Sequence, residues 1–446
     1  DGVAVAAGEG APGVKVLHVA YTWHPDPVGG TEVYVEGLCR ELDRHGIASE
    51  VAAPWAGERR GRSEGPLPVH RFATTTSPNL STLYGGGDAQ AAEAFARILD
   101  DVRPDVVHQH AFSPACSVRL VRTAAARRVP VVFSFHSPTV TCQRGTMLQF
   151  GRTECEGIWD ARICTPCVLD GLGLAPGARL LARAGAFVAG PALARSGWQG
   201  GALTALQIPQ LMRLRTAATR ELFALVDRVV SLSPWTTTLL LRNGVDRARI
   251  VYSPHGVGHR RSGATNGEPR RLPLRLVHLG RTDRAKGTAL LLQALALAPE
   301  LPVEVDLFLV GPPEAMPVPA DSRVRRHGAI PHAEVIDRLS RYDAVLVPSQ
   351  GLETGPLVVL EALTAGIPVI GSRIGGLRDR VRDEADGWLV EPFDDPAAWA
   401  RVLRELAARP ETVWQRRDRV RQPRSMAEVA DEMADLYGEL VRERRQ

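Results

Sequence analysis

Short runs of Val, Leu, Ile and Ala recur down this chain, and stretches with helical spacing separate them. Val14–Ala20, Ser49–Ala53, Asp105–His110, Pro130–Phe135 and Asp227–Leu232 read as strands, with helices at Thr31–Arg44, Ala91–Leu99 and Ser117–Ala126. Strands alternating with helices imply a parallel, doubly wound sheet. The polar, Gly-containing stretch His259–Glu268 reads as a linker. Beyond it the rhythm restarts. Strands are expected at Leu274–Leu279, Val303–Val310, around Val324, at Ala344–Pro348 and at Pro368–Gly371. Helices are expected at Thr288–Leu297, at Ala333–Arg341 and from about Pro356. The expected fold class is therefore α/β, two facing Rossmann-like doubly wound domains with a cleft between them. Ligands of such open sheets sit at the carboxyl ends of the strands.

The expected boundaries are a tail over 1–13, a first domain over 14–258, a second over 259–424 and a closing helix over 425–446. That last helix opens on a capping-box pattern, Ser425 to Glu428. Met426, Val429, Ala430, Met433, Tyr437 and Leu440 form one apolar stripe, which should pack back on the first domain.

At 446 residues and 44% hydrophobic content, the chain has material for two cores. Its net charge of +4 comes from scattered Arg residues that are not interleaved with aromatics, which argues against nucleic acid as a partner. Anionic substrates, or weak peripheral contact with an anionic membrane surface, remain compatible with it. No run is long and apolar enough to span a bilayer. Asp1–Gly13 is Gly/Ala-rich without the basic and apolar regions of a signal peptide, so it reads as a loose tail. The expectation is a cytoplasmic protein with reduced cysteines.

Glu353-Thr354-Gly355-Pro356-Leu357-Val-Val-Leu-Glu361 carries two acids separated by a loop and a helix start. Eight residues of helix advance roughly 12 Å, too far for the two acids to share one proton or one metal ion. They suit two distant hydroxyl groups of one elongated ligand. Backbone N–H groups at the helix start between them would seat a phosphate or sugar. Gly280-Arg281-Thr-Asp-Arg-Ala-Lys286-Gly287 follows a strand, and its two cations would neutralise a diphosphate. The competing reading of that segment is a solvated basic turn.

With these residues in order, the chain resembles the retaining nucleotide-sugar glycosyltransferases of family 4, which have the GT-B fold. The matching residues are Gly29-Gly30 with Glu32, His136, Gly280-Arg281, Lys286-Gly287, Pro348-Ser349, Glu353, Glu361, and Gly375-Gly376 after Arg373. The likeness runs from about Val14 to Leu440. It implies hexosyl transfer from a nucleotide-diphosphate sugar, such as a UDP-sugar, to an acceptor hydroxyl. It also implies that Glu353 lies against the donor sugar, that Glu361 holds the ribose, and that Arg281 and Lys286 hold the diphosphate. The N–H groups around Thr354, Gly355 and Leu357 would hold sugar or phosphate, and the base would lie near His327–Ile330, against Gly328 and Ile330. Gly29 and Gly30 would let the backbone approach the donor closely.

The resemblance places His136, in Ser134-Phe-His-Ser-Pro138, against the donor sugar. The family's following acid is Ser137 here. His108 and His110 also end a strand, and they read as core histidines. The resemblance implies retention of configuration without a covalent nucleophile: the leaving diphosphate departs from the face that the acceptor approaches, and itself takes the acceptor's proton. There is no Asp-x-Asp triplet, so the sequence requires no catalytic divalent metal. A nucleotide-sugar epimerase of the same shape is the alternative function.

A separate signal is Cys142-x12-Cys155-x8-Cys164-x2-Cys167. Four cysteines ending in a C-x2-C pair fit a tetrahedral structural zinc site. An Fe–S cluster, a redox pair at Cys164 and Cys167, or four unliganded thiols are the other readings. The Leu/Ala/Gly-rich stretch Leu169–Gln210 could face a membrane or an apolar acceptor; it reads rather as a pair of core-facing helices.

Overall fold

The computed structural model describes residues 13–26, 29–55, 61–63, 67–180, 182, 200–258, 271–417 and 419–446. The expected tail through residue 12 and the expected linker His259–Glu268 lie outside them. The chain divides into two compact units. The first comprises Asp1–Pro254 with Met426–Gln446, and the second His255–Ser425.

In the first unit the order is β1 (Lys15–Val19), α1 (Gly30–Asp43), β2 (Ala48–Trp55), β3 (Gly61–Ser63), β4 (Val69–Ala73), α2 (Ala89–Val102), β5 (Val106–Gln109), α3 (Val118–Ala126) and β6 (Val131–Ser134). A small hairpin, β7 (Leu148–Gln149) and β8 (Thr153–Glu154), leads to α4 (Ala161–Gly171) and the long α5 (Gly201–Leu225). Then come β9 (Arg228–Ser231), α6 (Pro234–Arg242) and β10 (Ile250–Tyr252). The sheet runs β10-β9-β6-β5-β1-β2-β4-β3 and is parallel except for β3 against β4. Helices start where side chains satisfy orphan N–H groups: Asp88 caps α2, Ser117 caps α3 and Asp160 caps α4.

The second unit contains β11 (Leu274–Arg281), α7 (Thr288–Ala296), β12 (Val303–Val310), β13 (Val324–His327), α8 (Val335–Leu339), β14 (Ala344–Val347), α9 (Leu357–Thr364), β15 (Val369–Ser372), α10 (Gly375–Arg380), β16 (Gly387–Val390), α11 (Pro396–Ala408) and α12 (Pro410–Arg417). Its sheet is wholly parallel, in the order β13-β12-β11-β14-β15-β16. Two expectations change here. The strand expected to stop at Leu279 continues through Arg281, because Gly280 and Arg281 pair with Leu309 and Val310. The helix expected over Ala333–Arg341 shrinks to α8, preceded by a 3₁₀ turn at His332–Glu334.

The final helix, α13 (Met426–Arg445), belongs to the first unit. Its buried stripe, Met426, Val429, Ala430, Met433, Tyr437 and Leu440, joins Val35, Leu38 and Leu42 of α1 in one core. Each fully buried large apolar side chain contributes about 1.5–3 kcal/mol, so this face alone fixes α13. Within Leu169–Gln210, residues 181 and 183–199 lie outside the described residues. The described part buries Leu169, Ala205 and Ile208 in one cluster with Leu211 and Met212, which makes it core. Among the described residues no helix is long and apolar enough to cross a membrane.

Candidate active site

In each sheet the strand order reverses beside the first strand, between β5 and β1 in one unit and between β11 and β14 in the other. Such switch points open a crevice at the carboxyl ends of the strands. The candidate residues gather at both.

In the second unit the loops after β11 and β14 are tied together. Gln350 N–H donates to the Ala285 carbonyl at 2.7 Å. Gly287 has φ +71°, and a Cβ there would lie 1.7 Å from the Pro348 carbonyl oxygen. Only glycine permits that approach. The packing brings Lys286 Nζ within 2.8 Å of Glu353 Oε2, while Ser349 Oγ donates to Glu353 Oε1 at 2.5 Å. Both carboxylate oxygens of Glu353 are thus held by groups from these two loops. The Gly375-Gly376 pair completes the support. Gly376 N–H donates to the Glu353 carbonyl at 2.7 Å, and a Cβ on Gly376 would lie 2.5 Å from that oxygen.

Glu361 lies on α9, whose N-cap is Pro356. His332 Nε2 approaches Glu361 Oε1 at 3.2 Å. Gly355 has φ +151°, and a Cβ there would meet Arg380 Nε at 3.1 Å and His255 Nδ1 at 3.4 Å. Thr354 beside it is buried. His332, Arg380 and His255 carried no sequence signal in this role, because contacts made through folding, not spacing, bring them to the Glu-x7-Glu segment. Arg281 is exposed at the end of β11, and its Nε donates to Asp283 at 2.6 Å. The structure therefore joins Lys286 to Glu353 and pairs Arg281 within its own turn.

Gly280 sits over His278: a Cβ there would come within 3.4 Å of His278 Nε2 and 3.3 Å of Lys286 Cβ. His278 donates from Nδ1 to the Leu346 carbonyl at 2.9 Å, leaving Nε2 to accept from Thr288 Oγ1 at 3.0 Å. Burial pushes its pKa down to about 4. It is a neutral brace under the lysine loop. Near Gly328 and Ile330, β13 ends at His327, which stacks on Phe308 and bonds Asp306 at 2.8 Å. Gly328 is exposed, with nothing within 4 Å of a Cβ built on it.

In the first unit, Glu32 folds back so that its Oε2 accepts the Gly29 N–H at 2.9 Å, just before Gly30 opens α1. Four histidines line the switch point. His18 on β1 is in register with His108 on β5. His18 Nδ1 lies 3.1 Å from His110 Nε2, and His110 Nδ1 lies 3.1 Å from His136 Nε2. His108 bonds the Tyr437 hydroxyl at 2.5 Å and Ser134 Oγ at 2.8 Å. Burial lowers the pKa of His18 and of His136 to about 3. His110, read from sequence as a core histidine, is thus the middle of a chain ending at His136.

Neutral rings fix how protons run along this chain, since each link carries one. His18 Nε2 is buried without a partner among the described residues. An orphan N–H is costlier there than a bare ring nitrogen. The favoured arrangement donates from His18 to His110 and from His110 to His136, which leaves His136 carrying its own proton on Nδ1.

A cavity of about 290 Å³ lies within the first unit, lined by Leu83, Phe112, Ser113, Thr139, Cys142 and Arg215 among others. The four cysteines Cys142, Cys155, Cys164 and Cys167 line a second one, of about 40 Å³. All four are free thiols. Among the described residues, the trio of ligand atoms lying within 4.8 Å of one another is His18, His108 and His110, and no three of the cysteine sulfurs are drawn in that tightly. Both nitrogens of His108 are already engaged.

Comparison with known proteins follows this geometry. Residues 29–256, just over half of the chain, match the family described as Glycosyl transferase 4-like domain. Residues 273–409 match Glycosyl transferases group 1. A D-inositol 3-phosphate glycosyltransferase of Xylanimonas cellulosilytica is 34% identical over 145 residues, which are 30% of this chain and 34% of that protein. The chain thus spans about a third of that relative's length. Among solved structures, sucrose-phosphate synthase from Thermosynechococcus elongatus superposes with a TM-score of 0.64 at 19% identity, covering 96% of this chain and 100% of the other. The Anabaena protein HepE, solved in complex with UDP-glucose, gives 0.60 at 14% identity, covering 95% and 99%. At these identities the likeness establishes the fold, the expected GT-B class of paired parallel-sheet domains.

Proposed function

The chain belongs to the glycosyl transferase 4-like family, and from that premise we propose that it transfers a sugar from a nucleotide-diphosphate sugar to an acceptor hydroxyl, with retention of configuration. One observation carries this reading: Lys286, Ser349 and Glu353 meet at the switch point of the second unit on loops that Gly287 and Gly376 hold in close contact. A lysine there is paired with a carboxylate until an anionic ligand arrives, and a diphosphate can then share its charge.

In this reading Lys286 neutralises the diphosphate, Arg281 at the exposed strand end adds a second cation, and Glu361 binds the ribose hydroxyls. Backbone groups at Thr354, Gly355 and Leu357 hold sugar or phosphate, with Pro356 fixing the helix start, and the base lies by Gly328 and Ile330. Gly280, Gly29 and Gly30 keep their backbone open to the donor. Glu353 orients the transferred sugar. His136 lies against that sugar, as the family resemblance implies. The bond from the anomeric carbon to the diphosphate oxygen breaks, and the acceptor oxygen bonds that carbon from the same face. The acceptor's proton passes to the departing phosphate oxygen. Stabilising the leaving group's charge is the main catalytic contribution. The 290 Å³ cavity of the first unit, with Ser113, Thr139 and Arg215 in its wall, is the seat proposed for a small polar acceptor.

UDP-glucose is the first donor to try, because HepE was solved with it. Incubated with a panel of nucleotide sugars, the protein should release nucleoside diphosphate slowly alone and faster with an acceptor. NMR of the product should show the donor's anomeric configuration. Release of free epimerised donor, or no turnover of any donor in the panel, would overturn the proposal.

A further inference from the structure

We infer that Cys142, Cys155, Cys164 and Cys167 hold one zinc ion as four thiolates, with the buried guanidinium of Arg215 balancing their charge. The inference is independent of the transfer reading.

The four residues come from three pieces of chain that the fold brings to one small cavity. Cys142 follows a 3₁₀ turn at Pro138–Val140, and Cys155 closes the β7–β8 hairpin through its N–H to the Met147 carbonyl at 2.8 Å. Cys164 and Cys167 stand three residues apart on α4, on one face of that helix. A cavity of about 40 Å³ has room for a metal ion. Two backbone amides already point at sulfur. Phe150 N–H donates to Cys167 Sγ at 3.2 Å, and Gly157 N–H to Cys155 Sγ at 3.4 Å. Donors of this kind stabilise a thiolate more than a thiol and orient metal ligands.

Charge gives an independent argument. Arg215 is 7% exposed and stays protonated at any physiological pH. It meets the Thr139 carbonyl and the face of Phe112, and its Nε has no partner among the described residues. No carboxylate among the described residues pairs with it, and this buried cation lines one cavity wall with Cys142. Four thiolates around one Zn²⁺ carry a net −2. Arg215 offsets one unit. Arg144 and Arg179 share Asp170, and that trio leaves +1 beside Cys167.

Backbone conformation agrees. Between residues 145 and 157, Gly145, Met147, Phe150, Gly151 and Gly157 all have positive φ. For Met147 and Phe150 this conformation is strained, at a cost of order 1 kcal/mol each. A metal bond at each end of the segment supplies what holds it. Coordination at about 2.3 Å draws the sulfurs closer than they stand and releases the thiol protons to solvent.

The full chain, purified without chelator from zinc-containing medium, should carry about one zinc per chain by elemental analysis. X-ray absorption should show only sulfur neighbours, at about 2.3 Å. Titrating thiols with p-hydroxymercuribenzoate should release that zinc to a chromogenic chelator. Cys164→Ser should lose most of the metal, whereas Cys39→Ser and Cys116→Ser should retain it. If Cys164→Ser fails to fold, the wild-type stoichiometry and ligand shell decide the matter. Less than about 0.1 zinc per chain, nitrogen or oxygen in the shell, bound iron with visible absorption, or a Cys164–Cys167 disulfide would each overturn the inference.

Discussion

The two switch points occupy equivalent places in their sheets and carry opposite chemistry. In the first unit the strand ends present neutral imidazoles, linked at 3.1 Å and buried deeply enough that His18 and His136 stay uncharged down to about pH 3. In the second, the loops present a lysine and two glutamates, with the Lys286–Glu353 pair about one quarter exposed on each side. A network of neutral hydrogen bonds orients without attracting charge. A charged set attracts an anion and needs internal pairing while it waits. In the proposed reaction the first site would supply directional recognition and the second charge stabilisation.

The strongest way to break this contrast is to remove the cation. Lys286→Ala should cut transfer about 10²–10³-fold, and Glu353→Gln should do the same, with little change in melting temperature. Initial rates near wild type in either variant would take the charged site out of the mechanism. A second, smaller effect concerns loop geometry. Gly287→Ala forces a side chain into a φ of +71° and against the Pro348 carbonyl, so it should cost about 1–3 kcal/mol and lower activity too. Urea denaturation that finds the variant as stable as wild type would show that the two loops need no such closeness.

A third test addresses the neutral site. His18 has a folded pKa of about 3 against an unfolded value of 6.5, so the unfolded state binds more protons between those limits. Stability must then rise with pH across that window and fall away as pH drops from 6.5. His18→Gln should flatten this slope by up to one proton's worth, measured by denaturation between pH 4 and 7 as round figures of roughly that window. An unchanged slope would mean that His18 is already charged in the folded protein.

Sequence reasoning reached the parallel sheets because buried strands such as Val303–Val310 are long, apolar and bounded by turn residues. It singled out Lys286, Glu353 and Glu361 as candidates because they lie at strand or helix ends in a recognisable order. It did not reach His332, Arg380 or the His18–His110–His136 chain. These contacts join residues far apart in sequence, and no local spacing encodes them. The glycines fall between. Gly375-Gly376 was visible as a pair, yet its reason is a backbone contact with Glu353 that only the fold reveals. Arg281 was legible as a cation, but its pairing with Asp283 follows a strand that continues two residues further than the apolar pattern.

Because α13 completes the core of the first unit, that unit is assembled from both extremes of the described chain. During synthesis the ribosome makes the entire second unit before Tyr437 exists to meet His108. The earlier-made half must therefore wait, its α1 surface uncovered, while the later-made half matures. Loss of α13, by a nonsense codon or a protease, would strip a wall from that core and unseat strands made long before it.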